Sequence, residues 1–337
     1  MALHSNPLRR SDDFQSPQSI YYEHEATANS LSEIIDFANK VCEIDPNQPI
    51  FWRGQSDSRW GVHSNLYRLV AESSGCVLDP NHDSYDVAIQ SYPREDSIQA
   101  AEKETLELLA GIPMMNRLNA LDRLAYLQHH GAPTRLIDVS KSVLVASYFA
   151  VEDPRGDGRI FAFGQSDKAE QPNEMSDWNG RPFWFEWQNN HIRDDNRWGN
   201  GQFRRIWIPT GDDPRFSAQQ AAFVLDGVPM SDQRYQSSFR KVNSSKPNDN
   251  WKMADHYSTG SVYMKFMNVD AGISFNSGRM RTWAPTYTLR IQRDAKERIK
   301  DNLNRLFGIS VATLFPDFDG LSEFVRDQLK LRLSQMN

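Results

Sequence analysis

The chain has 337 residues, of which 39% are hydrophobic, so it is long enough for one large domain or two modest ones. Acidic residues outnumber basic residues by 44 to 38, and a net charge of −6 argues against a protein that coats DNA or RNA with a basic surface. The two cysteines, Cys42 and Cys76, have no metal-ligand or redox spacing, and no disulfide framework or metal site is expected.

The sequence predicts a cytoplasmic protein without a membrane partner. No apolar stretch approaches the roughly 20 residues that span a bilayer, and the polar N-terminus does not resemble a secretory signal. Residues 1–29 are expected to form a polar tail, and residues 30–337 one domain. Connections at about 165–202 and 226–285 are longer than compact domains usually contain, which indicates insertions near a functional site.

Hydrophobic periodicity and capping residues predict the helices, and short apolar runs predict the strands. The predicted helices cover residues 30–42, 100–110, a stretch through Leu118 and Ala125 that stops at Gly131 and Pro133, and 142–151. The predicted strands cover residues 49–54, 135–139, 159–163, 204–208, 223–225 and 287–291, and a loop is expected over 76–97. A final helix is predicted to begin with a capping box at Asp294 and Glu297 and to end at Gly308.

The first candidate functional segment is Phe-Trp-Arg-Gly-Gln at residues 51–55. An arginine at the end of a strand can point into a cleft, and the glycine after it allows a ligand to approach the backbone. The flat fork of donors on Arg53 suits a phosphate or a carboxylate. The alternative is an arginine that only ties down a loop.

The second segment, at residues 127–138, reads Leu-Gln-His-His-Gly-Ala-Pro-Thr-Arg-Leu-Ile-Asp. His129 is expected at a helix end, where the helix dipole favours it, with Asp138 on the next strand to orient it. The alternative is a structural hydrogen-bonded corner. No second histidine stands at metal-ligand spacing, so zinc is not expected.

The third segment, at residues 214–223, places Gln219 and Gln220 beside a strand. Buried amides need partners, which either a ligand or the core can supply. A tryptophan-rich stretch from Trp178 to Trp207, with several arginines, is interpreted first as core packing. Its alternative interpretation is an exposed surface that stacks single-stranded nucleic acid; the arginines concerned are Arg193, Arg197, Arg204 and Arg205.

These segments occur in an order that resembles the FRG domain family, together with Ala-Ser-Tyr-Phe-Ala at 146–150 and Leu-Phe-Pro-Asp-Phe-Asp-Gly-Leu at 314–321. The resemblance covers about residues 30–325. Trp52 departs from the phenylalanine that the family often has before the arginine, and Ala221 from a glycine. The resemblance implies a protein of bacterial, archaeal or phage origin that acts as a toxin or anti-phage defence effector.

A weaker resemblance is to mono-ADP-ribosyltransferases of the Arg-Ser-Glu type. It implies an α+β fold with a small central mixed or split sheet flanked by helices, and NAD as the substrate. On this mapping Arg53 lies near the phosphates and ribose, Ser140 supports the nicotinamide pocket, and Gln219 or Gln220 stands near the position of the glutamate motif. Trp52, Trp60 or Tyr148 would form the nicotinamide wall.

The expected site therefore has two groups of residues. The expected catalytic residues are Arg53, His129, Asp138 and Gln219, and the expected binding residues are Trp52, Gly54, Gln55, Ser140, Tyr148, Arg215 and Gln220. A glutamine lacks the negative charge that favours an oxocarbenium-like centre, so an acid from Glu102, Glu104 or Glu107 is considered as a substitute, against the alternative of a solvated helix face.

Two functions follow from these expectations. The first is ADP-ribosyl transfer or NAD hydrolysis, with a protein or nucleic-acid acceptor and a neutralising or defence-system partner. The second is a non-catalytic module that senses a nucleotide or another ligand and contacts nucleic acid. Convergence of the expected residues on one cleft with a carboxylate nearby favours the enzyme, whereas a cleft without an acid favours binding.

Overall fold

The computed structural model describes residues 21–22, 24–44, 49–86, 90–165, 181–201, 203–209, 213–230, 252–270 and 285–317, with residues 322, 325, 326 and 329. Most of the expected tail, much of both expected insertions, Trp178 and residues 318–321 lie outside these ranges. Over the described residues, no helix has the length and apolar character needed to cross a membrane.

The described residues form an α+β fold with one mixed sheet and flanking helices. The strands are β1 (Ala26–Ala28), β2 (Ile50–Gln55), β3 (Ile137–Ser140), β4 (Gly158–Gly164), β5 (Arg205–Trp207), β6 (Ala221–Leu225), β7 (Lys265–Phe266) and β8 (Pro285–Ile291). The helices are α1 (Leu31–Ile44), α2 (Asn65–Ser73), α3 (Glu95–Leu109), α4 (Ala120–His129), α5 (Val143–Val151), α6 (Asn190–Asp195), α7 (Pro214–Ala218), α8 (Met253–Thr259), α9 (Lys296–Phe307) and α10 (Val311–Leu314).

The sheet runs in the order β1-β8-β4-β2-β3-β6-β5, and β7 also pairs with β8. β2 lies between two antiparallel neighbours, with Arg53 opposite Phe161 of β4 and Trp52 opposite Ser140 of β3. β1 and β7 are parallel to β8, which makes the sheet mixed. The expected α+β class with a mixed sheet between helices is confirmed, but its eight described strands form one sheet that is larger than the small or split sheet expected.

Side chains alternate between the two faces of the sheet, as strand geometry requires. On one face, Trp52, Ile160 and Leu289 contribute to a core that also contains residues of α1, α5 and α9. On the other face, Phe51 and Phe161 belong to a second core cluster. The central strands are therefore buried on both sides, and this explains their nearly continuous apolar sequence.

Most helix signals in the sequence are confirmed by capping contacts. Ser30 accepts a hydrogen bond from the Glu33 amide at 3.2 Å at the start of α1, and the Ser142 side chain caps α5. Gly308 ends α9 with φ 66°, a left-handed conformation that favours glycine. The expected capping box at Asp294 and Glu297 is wrong, because α9 begins at Lys296 after a 3-10 turn and has no side-chain cap.

Helix α3 begins at Glu95, five residues before the predicted start. The prediction missed this first part because polar residues occupy the buried face of the helix. Arg135 lies between two of them: its Nη1 is 2.9 Å from Glu95 Oε1, and its Nε is 2.7 Å from Glu102 Oε1. The indoles of Trp184 and Trp198 flank the same guanidinium at 5.0 and 5.3 Å. Glu102 is thus a structural core acid and no substitute catalytic acid, whereas residues 104 and 107 lie on the exposed face of α3.

The tryptophan-rich stretch packs into the core. The first interpretation is confirmed for the buried residues Trp184, Trp187, Trp198 and Trp207. Arg193, Arg204 and Arg205 are buried with them, and Arg204 donates to the carbonyl oxygens of Gly164 and Pro285. These side chains do not form the exposed stacking surface that single-stranded nucleic acid would need.

Candidate functional site

A cavity of about 300 Å³ opens beside the ends of β2 and β3. Its lining comes from β2, the end of α4, β3, α5, α7, β6 and the segment after α10: Trp52, Arg53, Gly54, Gln128, His129, Asp138, Val139, Ser140, Val145, Ala146, Phe149, Arg215, Phe216, Gln219, Ala221, Phe223 and Phe315. All four expected catalytic residues are among them. The volume lies at the lower end of the range for small-molecule sites.

Arg53 binds a backbone carbonyl and has a second, buried donor without a partner among the described residues. Its Nη1 donates to the Asp138 carbonyl oxygen at 2.7 Å and lies 3.8 Å from Asp138 Oδ2. Its Nε is buried and has no hydrogen-bond partner among the described residues. Burial lowers the pKa of Arg53 and Asp138 opposes that shift, but an arginine keeps its charge in proteins. One nitrogen of Arg53 thus ties down the backbone of β3, as the alternative interpretation expected, and one buried donor has no partner among the described residues.

Gly54 serves helix packing in addition to lining the cavity. A Cβ at this position would lie 1.9 Å from the Ala146 carbonyl oxygen and 2.6 Å from the Ala150 amide nitrogen. Helix α5 therefore occupies the space that the expected close approach of a ligand to this backbone would use. Glycine is required here because strand and helix meet backbone to backbone.

Asp138 provides a solvent-accessible carboxylate, with 60% of its side chain exposed. Its Oδ2 accepts a hydrogen bond from Gln128 Nε2 at 3.0 Å, and Gln128 Oε1 accepts one from Thr134 Oγ1 at 2.7 Å. The expectation that Asp138 orients His129 is therefore wrong in its partner: Asp138 is held by Gln128 and Arg53.

Asp213 is the acid that contacts His129. His129, the last residue of α4, has Nε2 3.3 Å from Asp213 Oδ2. The other oxygen of Asp213 accepts a hydrogen bond from the Arg215 amide at 2.8 Å and caps α7. Burial lowers the pKa of His129, and the carboxylate of Asp213 opposes that shift. Sequence reasoning missed Asp213, although an aspartate directly before a proline is a helix-start signal.

Gln219 and Ser140 also line the cavity and contact each other. Ser140 Oγ donates to the Gln219 carbonyl oxygen at 2.6 Å and accepts from the Ser142 amide at 3.0 Å, so it fixes the junction of β3 and α5. The Gln219 side-chain nitrogen donates to the Leu314 carbonyl oxygen at 3.0 Å. Its Oε1 has no hydrogen-bond partner within the described ranges and is the atom left for a ligand.

The segment after α10 forms one side of the cavity. Arg215 donates through Nη2 to Asp317 Oδ1 at 2.8 Å and through Nε to the other oxygen of Asp317. The guanidinium also lies 5.3 Å from the ring centre of Phe315, and the Phe315 and Phe149 rings meet edge to face at 6.1 Å. Residues 314–317 of the expected C-terminal motif thus reach the site.

Three expected binding residues do not line the cavity. Gln55 is buried and donates to the Gly61 carbonyl oxygen at 3.2 Å. Tyr148 is buried in the core beside α9. Gln220 adopts φ 47° at the turn before β6, where its carbonyl oxygen accepts from the Lys141 amide at 3.0 Å.

Aromatic side chains supply much of the apolar wall. The expected Trp52 lines the cavity, whereas Trp60 is not among the lining residues. Sequence reasoning missed Phe149, Phe216, Phe223 and Phe315. Helix α5 is apolar all round, so its periodicity could not show that Phe149 faces the cavity while Tyr148 faces the core.

Within the described ranges, no group of three or more His, Cys, Asp or Glu side chains is placed to hold a metal ion. Comparison with known protein families gives one result: the FRG domain pattern matches residues 48–158. No curated protein and no solved structure matches the chain, and the resemblance to ADP-ribosyltransferases is not confirmed. The matched range contains β2, α2, α3, α4, β3 and α5, and with them Arg53, His129 and Asp138. The chain therefore contains an FRG domain, which is matched at residues 48–158.

Proposed function

We propose that this protein binds NAD or a related nucleotide in the cavity and breaks the nicotinamide–ribose bond, with transfer of ADP-ribose to an acceptor or to water. The observation that carries the proposal is the convergence of Arg53, His129, Asp138 and Gln219 on one cavity. These residues come from three segments that are distant in sequence. Their convergence with an exposed carboxylate favours an enzyme over a site that only binds.

Arg53 is the proposed anchor for a phosphate. Its Nε has no hydrogen-bond partner among the residues described, and most of the side chain is shielded from water. A guanidinium in such a place forms short, charge-assisted hydrogen bonds to phosphate oxygens. Because the Asp138 carbonyl already fixes Nη1, the side chain loses little freedom when an anion binds.

Asp138 supplies the negative charge that the glutamine pair lacks. Cleavage of the nicotinamide–ribose bond develops positive charge on the ribose, as in glycoside hydrolysis. A carboxylate beside that centre stabilises it more in the transition state than in the ground state. Gln219 Oε1, which is free of hydrogen bonds to the described residues, is then available to accept from a ribose hydroxyl.

The apolar wall suits the nicotinamide ring. Trp52, Phe149 and Phe315 line the cavity, and flat rings in such walls bind planar ligands by offset or edge contacts. A cavity of about 300 Å³ suits the reacting half of a dinucleotide, with the remaining half beyond its mouth.

The family resemblance suggests the biological setting, a toxin or anti-phage defence effector. The acceptor is then a protein or a nucleic acid of the host or phage, and a neutralising or defence-system partner controls the activity. Identification of the labelled product tests the class of acceptor.

The test is incubation of the purified protein with labelled NAD, alone and with a bacterial lysate. Arg53→Lys keeps the charge and a donor for the Asp138 carbonyl but loses the fork, and Arg305→Lys is the matched control because Arg305 pairs with Asp301 on the exposed face of α9. Nicotinamide release is expected from the wild type and Arg305→Lys, with a loss of at least tenfold in Arg53→Lys. Labelled protein or labelled nucleic acid identifies the acceptor class. No release from the wild type under any condition would refute NAD turnover.

A second candidate is a nucleotide sensor. It is favoured by the pairing of Arg215 with Asp317, because an anion in the cavity would compete with Asp317 for this guanidinium and release the C-terminal segment. Binding of NAD or ADP-ribose in calorimetry, without turnover and with new protease sensitivity after residue 314, would support the sensor.

A further inference from the structure

We infer that His129 and Asp213 act as a proton-accepting pair that activates the water or hydroxyl group attacking the ribose. This inference rests on the proposed function, and it assigns a role to Asp213, which neither the sequence motifs nor the family match at residues 48–158 includes. His129 would be the general base, and Asp213 a positioning residue that acts through it.

The carboxylate of Asp213 is fixed before any ligand binds. One oxygen caps α7 through the Arg215 amide, and the other lies 3.3 Å from His129 Nε2. Pro214 at the first helical position further restrains this turn. A neutral His129 therefore carries its proton on Nε2 and leaves the lone pair on Nδ1, which has no hydrogen-bond partner among the described residues.

His129 is placed at the cavity rather than in the core. It is one of the lining residues, and the Phe216 ring packs edge to face against its imidazole at 5.7 Å. The exposed pair His191–Asp195 on α6 provides a contrast, with 86% and 68% of its side chains exposed and no place in the cavity lining. An exposed pair of that kind is expected to contribute little to stability or function.

The charged groups around His129 set its protonation. Burial lowers the pKa of His129, the nearby charges of Arg215 and His130 lower it further, and the carboxylates of Asp213 and Asp317 raise it. The net result is a pKa below the ordinary histidine value of 6.5. The imidazole is then neutral at pH 7 and ready to accept a proton.

The proposed step forms one bond, breaks another and transfers one proton. The attacking oxygen forms a bond to the ribose C1′ and gives its proton to Nδ1 of His129. The bond from C1′ to the nicotinamide nitrogen breaks, and nicotinamide leaves as a neutral molecule with that electron pair. The imidazolium formed at His129 is stabilised by the Asp213 carboxylate and returns its proton to solvent after product release.

The experiment measures nicotinamide release by the full chain from pH 5 to pH 9 and compares the wild type with His129→Gln, Asp213→Asn and Asp195→Asn. Asparagine is also a good N-cap, so Asp213→Asn retains the start of α7 while it removes the charge. Asp195→Asn makes the same substitution beside a histidine outside the cavity and is expected to match the wild type. Calorimetry with ADP-ribose checks that the variants still bind.

For His129→Gln we expect a loss of kcat of about 10²–10⁴-fold with KM changed less than about threefold, the usual contribution of a general base. In Asp213→Asn the acidic limb of the kcat profile should move to lower pH, because the carboxylate that raises the pKa of His129 is absent. Its plateau should also fall at least about tenfold, because the amide favours the wrong tautomer. Asp213→Glu, which restores a carboxylate, should recover part of that loss.

An unchanged pH profile of turnover in Asp213→Asn would overturn the proton-accepting role of the pair and leave the proposed function intact. Loss of ADP-ribose binding together with kcat in Asp213→Asn would also overturn it, because it would show a structural role. No turnover by the wild type would instead overturn the proposed function, and with it the step assigned to the pair.

Discussion

Replacement of Arg135 by methionine should destabilise the protein strongly, although Arg135 belongs to a motif that otherwise leads to the site. The guanidinium lies between the buried carboxylates of Glu95 and Glu102 and between two indole rings. Methionine has no charge, so Glu102 loses its cation. Glu95 keeps only Arg193, whose Nη2 lies 4.0 Å from Glu95 Oε2. Removal of one partner of a buried ion pair costs about 3–5 kcal/mol of unfolding free energy.

Glu95 and Glu102 keep different numbers of hydrogen bonds after this substitution. Glu95 keeps hydrogen bonds from Gln99, Trp198 and the Val228 amide. Glu102 keeps only Trp184 Nε1, at 2.9 Å, among the described residues. Burial already raises the pKa of Glu102 and Arg135 opposes the shift, so the pKa should rise further in the variant. The folded variant then binds a proton more readily than its unfolded chain, and its stability should fall as the pH rises above the ordinary glutamate value of 4.5.

Urea unfolding followed by tryptophan fluorescence measures both effects, because Trp184 and Trp198 flank the network. Addition of Glu102→Gln to Arg135→Met should recover about 1–3 kcal/mol by removing the unpaired charge. Arg155→Met is the control, since Arg155 is 88% exposed and should change stability by less than about 0.5 kcal/mol. If Arg135→Met costs under about 1 kcal/mol, or if Glu102→Gln makes the double variant still less stable, the reasoning is refuted.

Two further predictions concern the fold around the site and its pH dependence. Gly54→Ala should cost about 3 kcal/mol or more in urea unfolding, because its Cβ would meet the backbone of α5 at 1.9 Å; Gly111→Ala, which has open space around it, should be nearly neutral, and equal stability of the two variants would contradict the packing argument. Burial raises the pKa of Asp226 to about 6, so its contribution to stability declines as the pH rises from 3.8 to about 6. Asp226→Asn should therefore gain stability relative to the wild type across that window, and a constant difference between the two proteins would refute the shifted pKa.

Periodicity and capping predicted the elements well where one face of a helix or strand is apolar. α1, with Ser30 and Glu33 at its start, shows that local signals suffice when the capping contacts are only a few residues apart. α3 shows the limit, because Glu95, Gln99 and Glu102 occupy its buried face and find their partners far away in the chain. A polar residue on a buried face looks like a solvated residue until its distant partner is known.

The sequence named residues that line the cavity, but it did not show how they pair. Arg53, His129, Asp138 and Gln219 line one cavity, whereas the expected Gln55, Tyr148 and Gln220 do not. The partner of His129 was assigned to Asp138, nine residues away, whereas the contact is to Asp213, 84 residues away. The reason is geometric: β6 pairs with β3, and α7 just before it brings Asp213 to the end of α4.

The matched FRG range does not build the cavity alone. Residues 48–158 contribute Arg53, His129 and Asp138, but Arg215, Gln219 and Phe315 come from the chain beyond it. The sheet also extends beyond the matched range, because β2 and β3 need β4 and β6 as neighbours. Nearly all of β4 and the whole of β6 lie after residue 158. The downstream segments therefore decide what the cavity can bind. They bring the Arg215 guanidinium, the Asp213 carboxylate that faces His129, and Gln219 Oε1, which has no partner among the described residues. An assignment of function to this chain must consequently rest on the residues of β6, α7 and the segment after α10 as much as on the arginine of β2.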